Sequence, residues 1–349
     1  FNMSRKDSSD EIYAAKLREA GAEGIVLLKN EDNILPFTQD DIVTIFGRPQ
    51  INYIRNGTGS GGYVNVDHVV NILEGFRNDQ IKINEEVASD YEKYIEQNPY
   101  NDGGRIWGLE PNFQKDMKIT LEYAQKQSQV STKALYIIGR TAGEDSDNVE
   151  DQGSYNLTQE ELSNIKNITS AFEKVVVALN STNVIDMKWV NDPVYQNRIK
   201  GVIYLWAGGM EGGNAAADIL SGKVTPSGKL TDTISFNVSD NIANDNFGNV
   251  EKNLYKEDIY VGYRYFETFA PQCVMYEFGF GLSYTTFDVK TVSAKRNEDG
   301  KIVLDVSVTN TGDKYSGKEV VQVYYSAPQG KLGKPVKQLI AFEKTNLLK

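Results

Sequence analysis

Residues Ala134-Leu-Tyr-Ile-Ile-Gly139 run directly into Arg140-Thr-Ala-Gly143-Glu144-Asp145-Ser146-Asp147. A short apolar run that is rich in β-branched and aromatic residues and ends in glycine reads as a buried parallel strand feeding a loop. Three other stretches have the same form: Ile42-Val-Thr-Ile-Phe-Gly47, Val175-Val-Val-Ala-Leu-Asn180 and Gly201-Val-Ile-Tyr-Leu-Trp206. Helical spacing fills the intervals at 69–76, 113–127, 158–174 and 213–220, and Thr158 with Glu161 three residues on supplies an N-terminal cap for the third. Residues 8–30 read as an amphipathic helix with Ile12, Ala15, Leu17, Ala20 and Ala22 on one side, running into the apolar stretch at 24–29. Alternation of strand and helix specifies an α/β fold, an open α/β/α sandwich with helices on both faces of the sheet.

The texture changes near residue 283. Stretches 286–296, 301–310, 319–325 and 337–343 alternate apolar and polar residues at period two, separated by turn signals such as Asn297-Glu-Asp-Gly300. Two units follow, residues 1–283 as the α/β sandwich and 284–349 as the beginning of an all-β sandwich. Immunoglobulin-like sandwiches use roughly seven strands. Four strands leave exposed edges and half a core, so this second unit is expected to need further polypeptide.

Composition narrows the chemistry. The 349 residues carry a formal charge of -11, which disfavours phosphate backbones and anionic membranes, and Lys and Arg form no basic patch. Neither a nucleic acid nor a membrane is an expected partner. With one cysteine, Cys273, and one histidine, His68, there is no intrachain disulfide and no Cys-based zinc site. A serine-hydrolase triad would have to use His68, whose neighbours offer no serine and carboxylate arrangement, so it reads as a packed or hydrogen-bonding residue. No apolar run reaches 18 residues, and the opening thirty residues carry charges throughout, which makes the cytoplasm the expected location. Six Asn-x-Ser/Thr sequons, at Asn2, Asn56, Asn156, Asn167, Asn180 and Asn237, read as chance.

Two segments could carry chemistry. Gly57-Thr-Gly-Ser60-Gly-Gly62 fits the Gly-x-Gly-x-x-Gly pattern, with Glu74 and Asp79 near the distance of a ribose-binding acid. Yet about ten residues separate it from the preceding strand, where a dinucleotide fingerprint follows at once. It reads alternatively as a flexible turn, or as a loop presenting Ser60 and backbone N–H groups to a polar ligand. The second segment is the acidic loop after Gly139. Ligand sites in open α/β sheets form outside the carboxyl ends of the strands. Crowding Glu144, Asp145, Asp147, Glu150 and Asp151 together is expected to raise some of their pKa values, as a general acid requires. The plainer reading is a solvated acidic loop, with or without a bound cation.

The order of motifs resembles glycoside hydrolase family 3, specifically its β-glucosidases, over residues 10–349. Glu23-Gly-Ile-Val-Leu-Leu-Lys-Asn30 with Leu35-Pro36 resembles the opening of the family's sandwich domain. Gly57-Thr-Gly-Ser-Gly61 resembles its sugar-contacting loop, and Gly143-Glu144 with Asp147 its acid/base loop. Trp206, Gly209, Glu211, Gly212 and Gly213 resemble its W-x-x-G-x-E-G-G signature. Pro226-Ser-Gly-Lys-Leu230, Tyr260-Val-Gly-Tyr-Arg-Tyr265 and Tyr276-Glu-Phe-Gly-Phe-Gly-Leu-Ser-Tyr284 follow, then a fibronectin type III-like module. Asn148 stands where the family has arginine, and Thr231 where it has proline.

The resemblance implies Glu144 as catalytic acid/base, Ser60 as a substrate contact and no metal or other cofactor. It implies a terminal β-glucoside or cello-oligosaccharide as substrate. The family's (β/α)8 barrel, with its aspartate nucleophile, is missing from these residues, so a barrel domain or chain is the expected partner. Starting at the sandwich fits the family's domain-permuted members, and a homo-oligomer is compatible with this reading. A β-xylosidase of the same family and a noncatalytic carbohydrate-binding subunit are the alternatives.

Overall fold

The computed structural model describes residues 8–59, 62, 64–106, 108–144 and 146–349. Its centre is a six-stranded sheet of β1 (Val26–Asn30), β2 (Ile42–Phe46), β3 (Lys82–Ile83), β4 (Lys133–Arg140), β5 (Lys174–Ser181) and β6 (Ile199–Tyr204), in spatial order β1-β6-β5-β4-β2-β3. All pairings are parallel except β1 with β6. Because neighbouring side chains on a strand face opposite ways, Tyr136 and Ile138 enter one core while Leu135 and Ile137 enter the other. Helices α4 (Leu121–Ser128) and α5 (Gln159–Ala171) cover the first face through Ala124, Ile165 and Ile168. Helices α1 (Ser8–Gly24), α2 (Ile72–Asn78) and α6 (Gly212–Leu220) cover the second, and every residue of α6 is buried. Burial of each large apolar side chain contributes about 1.5–3 kcal/mol.

Local chemistry sets the helix boundaries. Thr158 and Glu161 form the expected reciprocal cap of α5, and Asn71 with Glu74 forms another that starts α2 at Ile72 rather than at residue 69. Expectation and structure part elsewhere too: of the stripe expected on α1, Ile12, Ala15, Leu17 and Ala20 are exposed and only Ala22 packs into the core, since the helix meets the sheet by its last turn. The apolar stretch after Gly24 does not continue the helix: it pairs with β6 as β1, because a five-residue run buried between layers satisfies its backbone on a sheet edge. Residues 113–120 are not helical; α4 begins only after Thr120, whose hydroxyl accepts from Tyr123 N, while Asp116 takes the Met117 N–H. A further helix, α3 (Glu85–Gln97), with Val87, Ala88 and Tyr91 buried, escaped the sequence reading although its apolar stripe is regular.

Beyond a short pair, β7 (Ile234–Ser235) and β8 (Val274–Tyr276), with α7 (Tyr263–Phe269) between them, come four strands as expected. β9 (Phe287–Arg296) pairs antiparallel with β10 (Ile302–Asn310), and β11 (Val320–Tyr325) with β12 (Gln338–Lys344). Val292, Ile302, Ile340 and Phe342 on these strands are exposed. Polar contacts seat this unit on the sandwich: Lys344 Nζ lies 3.2 Å from Glu23, Lys229 Nζ 2.8 Å from Glu319, and Gln322 Nε2 donates to Gly279 O at 3.0 Å. Among the described residues, no helix is long and apolar enough to cross a membrane.

Candidate active site

The carboxyl ends of β2, β4 and β6 release the loops that sequence reasoning singled out. The glycine loop lies beside the acidic loop: Thr58 N donates to Ala142 O at 3.0 Å, and Thr58 bridges Gly143. Glycine is required on both sides of this contact. Gly59 has φ +91, and a Cβ added there would stand 2.7 Å from Glu144 Cβ; one added to Gly143 would stand 2.2 Å from Thr58 O. The two candidate segments are therefore one packed unit, with Glu144 resting on the backbone of Gly59.

Glu144, Asp147, Glu150 and Asp151 are exposed on this loop. Ser60, the expected sugar contact, lies outside the described residues, as does Asp145. Among the described residues, no three His, Cys, Asp or Glu side chains gather to hold a metal ion. The dinucleotide arrangement is not formed, since residues 47–56 separate the glycines from β2 and α2 begins only at Ile72. Glu74 is consumed by the α2 cap, and buried Asp79 pairs with Arg18 and Lys223. His68 Nε2 sits 2.6 Å from Glu211 Oε1, whose other oxygen accepts from Asn214 Nδ2 at 2.7 Å, so His68 hydrogen-bonds within the signature loop.

Two depressions lie at this end of the molecule, the first beside the root of the acidic loop at Thr141. A polar cleft of about 420 Å³ is lined by Tyr53, Arg55, Asn56, Gly57, Tyr100 and Thr141. Tyr53, pushed up to about 12 by burial, remains protonated and accepts from Gly208 N at 2.7 Å. A larger, more apolar cavity of about 730 Å³ is lined by Thr182, Trp206, Asp232, Phe278 and Phe342, among others. Trp206 holds φ +54, a left-handed conformation that costs an L-residue about 1–3 kcal/mol, and packs tilted against Tyr204 with ring centroids 4.2 Å apart.

Beneath the loops lies a buried polar layer that the sequence did not announce. Arg140 donates to both Glu161 oxygens at 2.6 Å, a bidentate pair at the root of the acidic loop. Asp116 is half-buried nearby; desolvation pushes its carboxyl up to about 7, against the N–H groups of Met117 and Arg48 and the Tyr136 hydroxyl, which favour the charged form.

Comparison with known proteins decides the family. Residues 25–263 match the glycosyl hydrolase family 3 C-terminal domain, and residues 319–349 match a fibronectin type III-like domain. This chain belongs to glycosyl hydrolase family 3. It is 43% identical over 336 residues to a β-glucosidase of Ruminococcus albus, covering 96% of this chain and 34% of that protein. It is 38% identical to β-glucosidase A of Butyrivibrio fibrisolvens, covering 95% and 43%. A solved β-glucosidase from Paenibacillus barengoltzii superimposes with a TM-score of 0.96 at 54% identity, over 97% of this chain and 37% of that one. β-Glucosidase 3B of Thermotoga neapolitana, in complex with α-D-glucose, gives 0.85 at 34% identity, over 97% and 47%. The chain thus spans less than half the length of each of these glycosidases, and with the family's C-terminal domain it carries the expected fibronectin-like segment.

Proposed function

We propose that this chain is part of a retaining, exo-acting β-glucosidase and supplies its general acid/base, Glu144, while a barrel segment outside these residues supplies an aspartate nucleophile. The observation that carries this reading is the packing of Gly59 against Glu144, which fixes an exposed carboxylate at the carboxyl edge of the sheet beside the glycine loop. The similarity of nearly the whole chain to β-glucosidases supports the substrate class.

A retaining glycosidase places two carboxyl groups about 5–5.5 Å apart. The aspartate attacks the anomeric carbon while protonated Glu144 gives its proton to the departing glycosidic oxygen. The resulting carboxylate then takes a proton from water as that water displaces the aspartate, so configuration is inverted twice and retained overall. Ser60 donates to or accepts from a hydroxyl of the terminal glucose. The test is an assay of aryl β-glucoside hydrolysis by this chain alone and together with the barrel segment. The expected result is no turnover alone and robust turnover together; undiminished hydrolysis by the chain alone would overturn the shared-pocket reading.

A further inference from the structure

The end of β5 holds together all three loops that meet at the candidate site. Asn180 is completely buried; its Oδ1 accepts from Ile54 N at 2.7 Å, and its Nδ2 donates to Ile54 O at 2.9 Å and Trp206 O at 2.7 Å. One side chain therefore ties the approach to the glycine loop to the left-handed Trp206. Two residues on, Thr182 Oγ1 accepts from Ala142 N at 2.8 Å, and Thr182 N donates to Arg140 O at 3.3 Å. Ala142 is then held at both its backbone groups: its N–H by Thr182, and its carbonyl by Thr58 N at 3.0 Å and by the Thr182 hydroxyl at 3.4 Å. Together with the main chain from Ile54 to Thr58 and from Asn180 to Thr182, these bonds close a circuit through Ala142, with Glu144 two residues beyond it.

We infer that Asn180 and Thr182 are positioning residues that set where the Glu144 carboxyl stands, acting through the backbone of Ala142 and the glycine loop. This inference rests on the acid/base reading of Glu144. The circuit is buried at Asn180 and Ile54 and half-buried at Thr58, Ala142 and Thr182, and it has few alternative arrangements because a broken bond leaves a shielded amide group unpaired. It therefore holds the loop in place beside the strained Trp206. Misplacing a reacting group by about 1 Å costs on the order of 10²-fold in rate. The burial of Asn180 also shows why its Asn-Ser-Thr sequon presents no side chain for modification in the folded chain.

The experiment compares Thr182→Val, Thr182→Ser and Asn180→Asp in the complete enzyme, this chain with its barrel segment, with Glu144→Gln in parallel. Thr182→Val preserves shape and removes the acceptor for Ala142 N; Thr182→Ser keeps it. Asn180→Asp keeps the acceptor for Ile54 N and loses both donors. The readout is kcat/KM for an alkyl β-glucoside, whose leaving group needs a proton, against a 2,4-dinitrophenyl β-glucoside, whose leaving group does not. Thr182→Val is expected to lose on the order of 10- to 10²-fold on the alkyl substrate alone, with Thr182→Ser restoring it and Asn180→Asp, where folded, showing the same selectivity. Equal losses on both substrates, or none on either, in a Thr182→Val protein that melts like the parent would overturn the inference. A Glu144→Gln enzyme that keeps its alkyl activity would instead overturn the acid/base reading beneath it.

Discussion

Replacing Gly59 by alanine tests the contact on which the site is built. The new Cβ would lie 2.7 Å from Glu144 Cβ, whereas ordinary van der Waals contact begins near 3.4 Å. Glu144 or the glycine loop must therefore give way by about 0.7 Å, and φ +91 at this position costs an alanine about 1–3 kcal/mol more. If Glu144 is the acid/base proposed above, relaxation through it moves the proton donor by most of the 1 Å that costs roughly 10²-fold in rate. Steady-state kinetics on the complete enzyme should show kcat/KM for cellobiose falling by on the order of ten- to a hundredfold. The value for 2,4-dinitrophenyl β-glucoside should change little, because its aglycone departs without a proton. Parental rates on both substrates in a folded Gly59→Ala enzyme would refute the argument, since the backbone would then be accommodating the methyl group without disturbing the acid.

Other consequences concern the layer beneath the loops. Because the folded chain retains the Asp116 proton up to about pH 7 while an unfolded carboxyl loses it near 3.8, stability should fall as pH rises between these limits and then level off. At about 1.4 kcal/mol per unit this amounts to about 4 kcal/mol, and Asp116→Asn should remove the slope in urea titrations across that range. Breaking the buried Arg140 and Glu161 pair by Glu161→Gln should cost about 3–5 kcal/mol, read as a lower denaturation midpoint. At the junction, hydrogen bonds from Lys318 and Lys344 overcome desolvation and hold the Glu23 carboxyl below its ordinary value. Its contribution is present above the unfolded value of 4.5 and lost as pH falls through the lower folded one, so Glu23→Gln should weaken docking of the β-unit at neutral pH and leave strongly acidic solution unaffected. Limited proteolysis near residue 284 at the two pH values reads this directly.

Much of the fold was written in local patterns. The runs at 134–139, 175–180 and 201–206 are uninterrupted because their strands are buried on both faces, and the Thr158 and Glu161 pair marks a helix start by its own hydrogen bonds. Gly24-Ile-Val-Leu-Leu was ambiguous by nature, since a short apolar run packs equally well as helix or strand until a neighbour such as β6 claims its backbone. Residues 113–120 fit a helical period yet gave their backbone groups to long-range partners, among them Asn164, whose Oδ1 accepts from Ile119 N. The candidate site was legible as two separate loops. Their contact was not, because the fit of Gly59 against Glu144 and the reach of Asn180 to Ile54 and Trp206 depend on strand order, which no spacing along the chain encodes.

The most direct measurement is azide rescue of a Glu144→Ala enzyme assembled with the proposed barrel segment. On 2,4-dinitrophenyl β-glucoside the glycosyl intermediate should form and then stall for want of a base. Azide, an anion that attacks without giving up a proton, should restore turnover and release β-glucosyl azide. Unimpaired hydrolysis by the variant without azide, on natural and activated glucosides alike, would contradict the assignment of Glu144 as the proton donor.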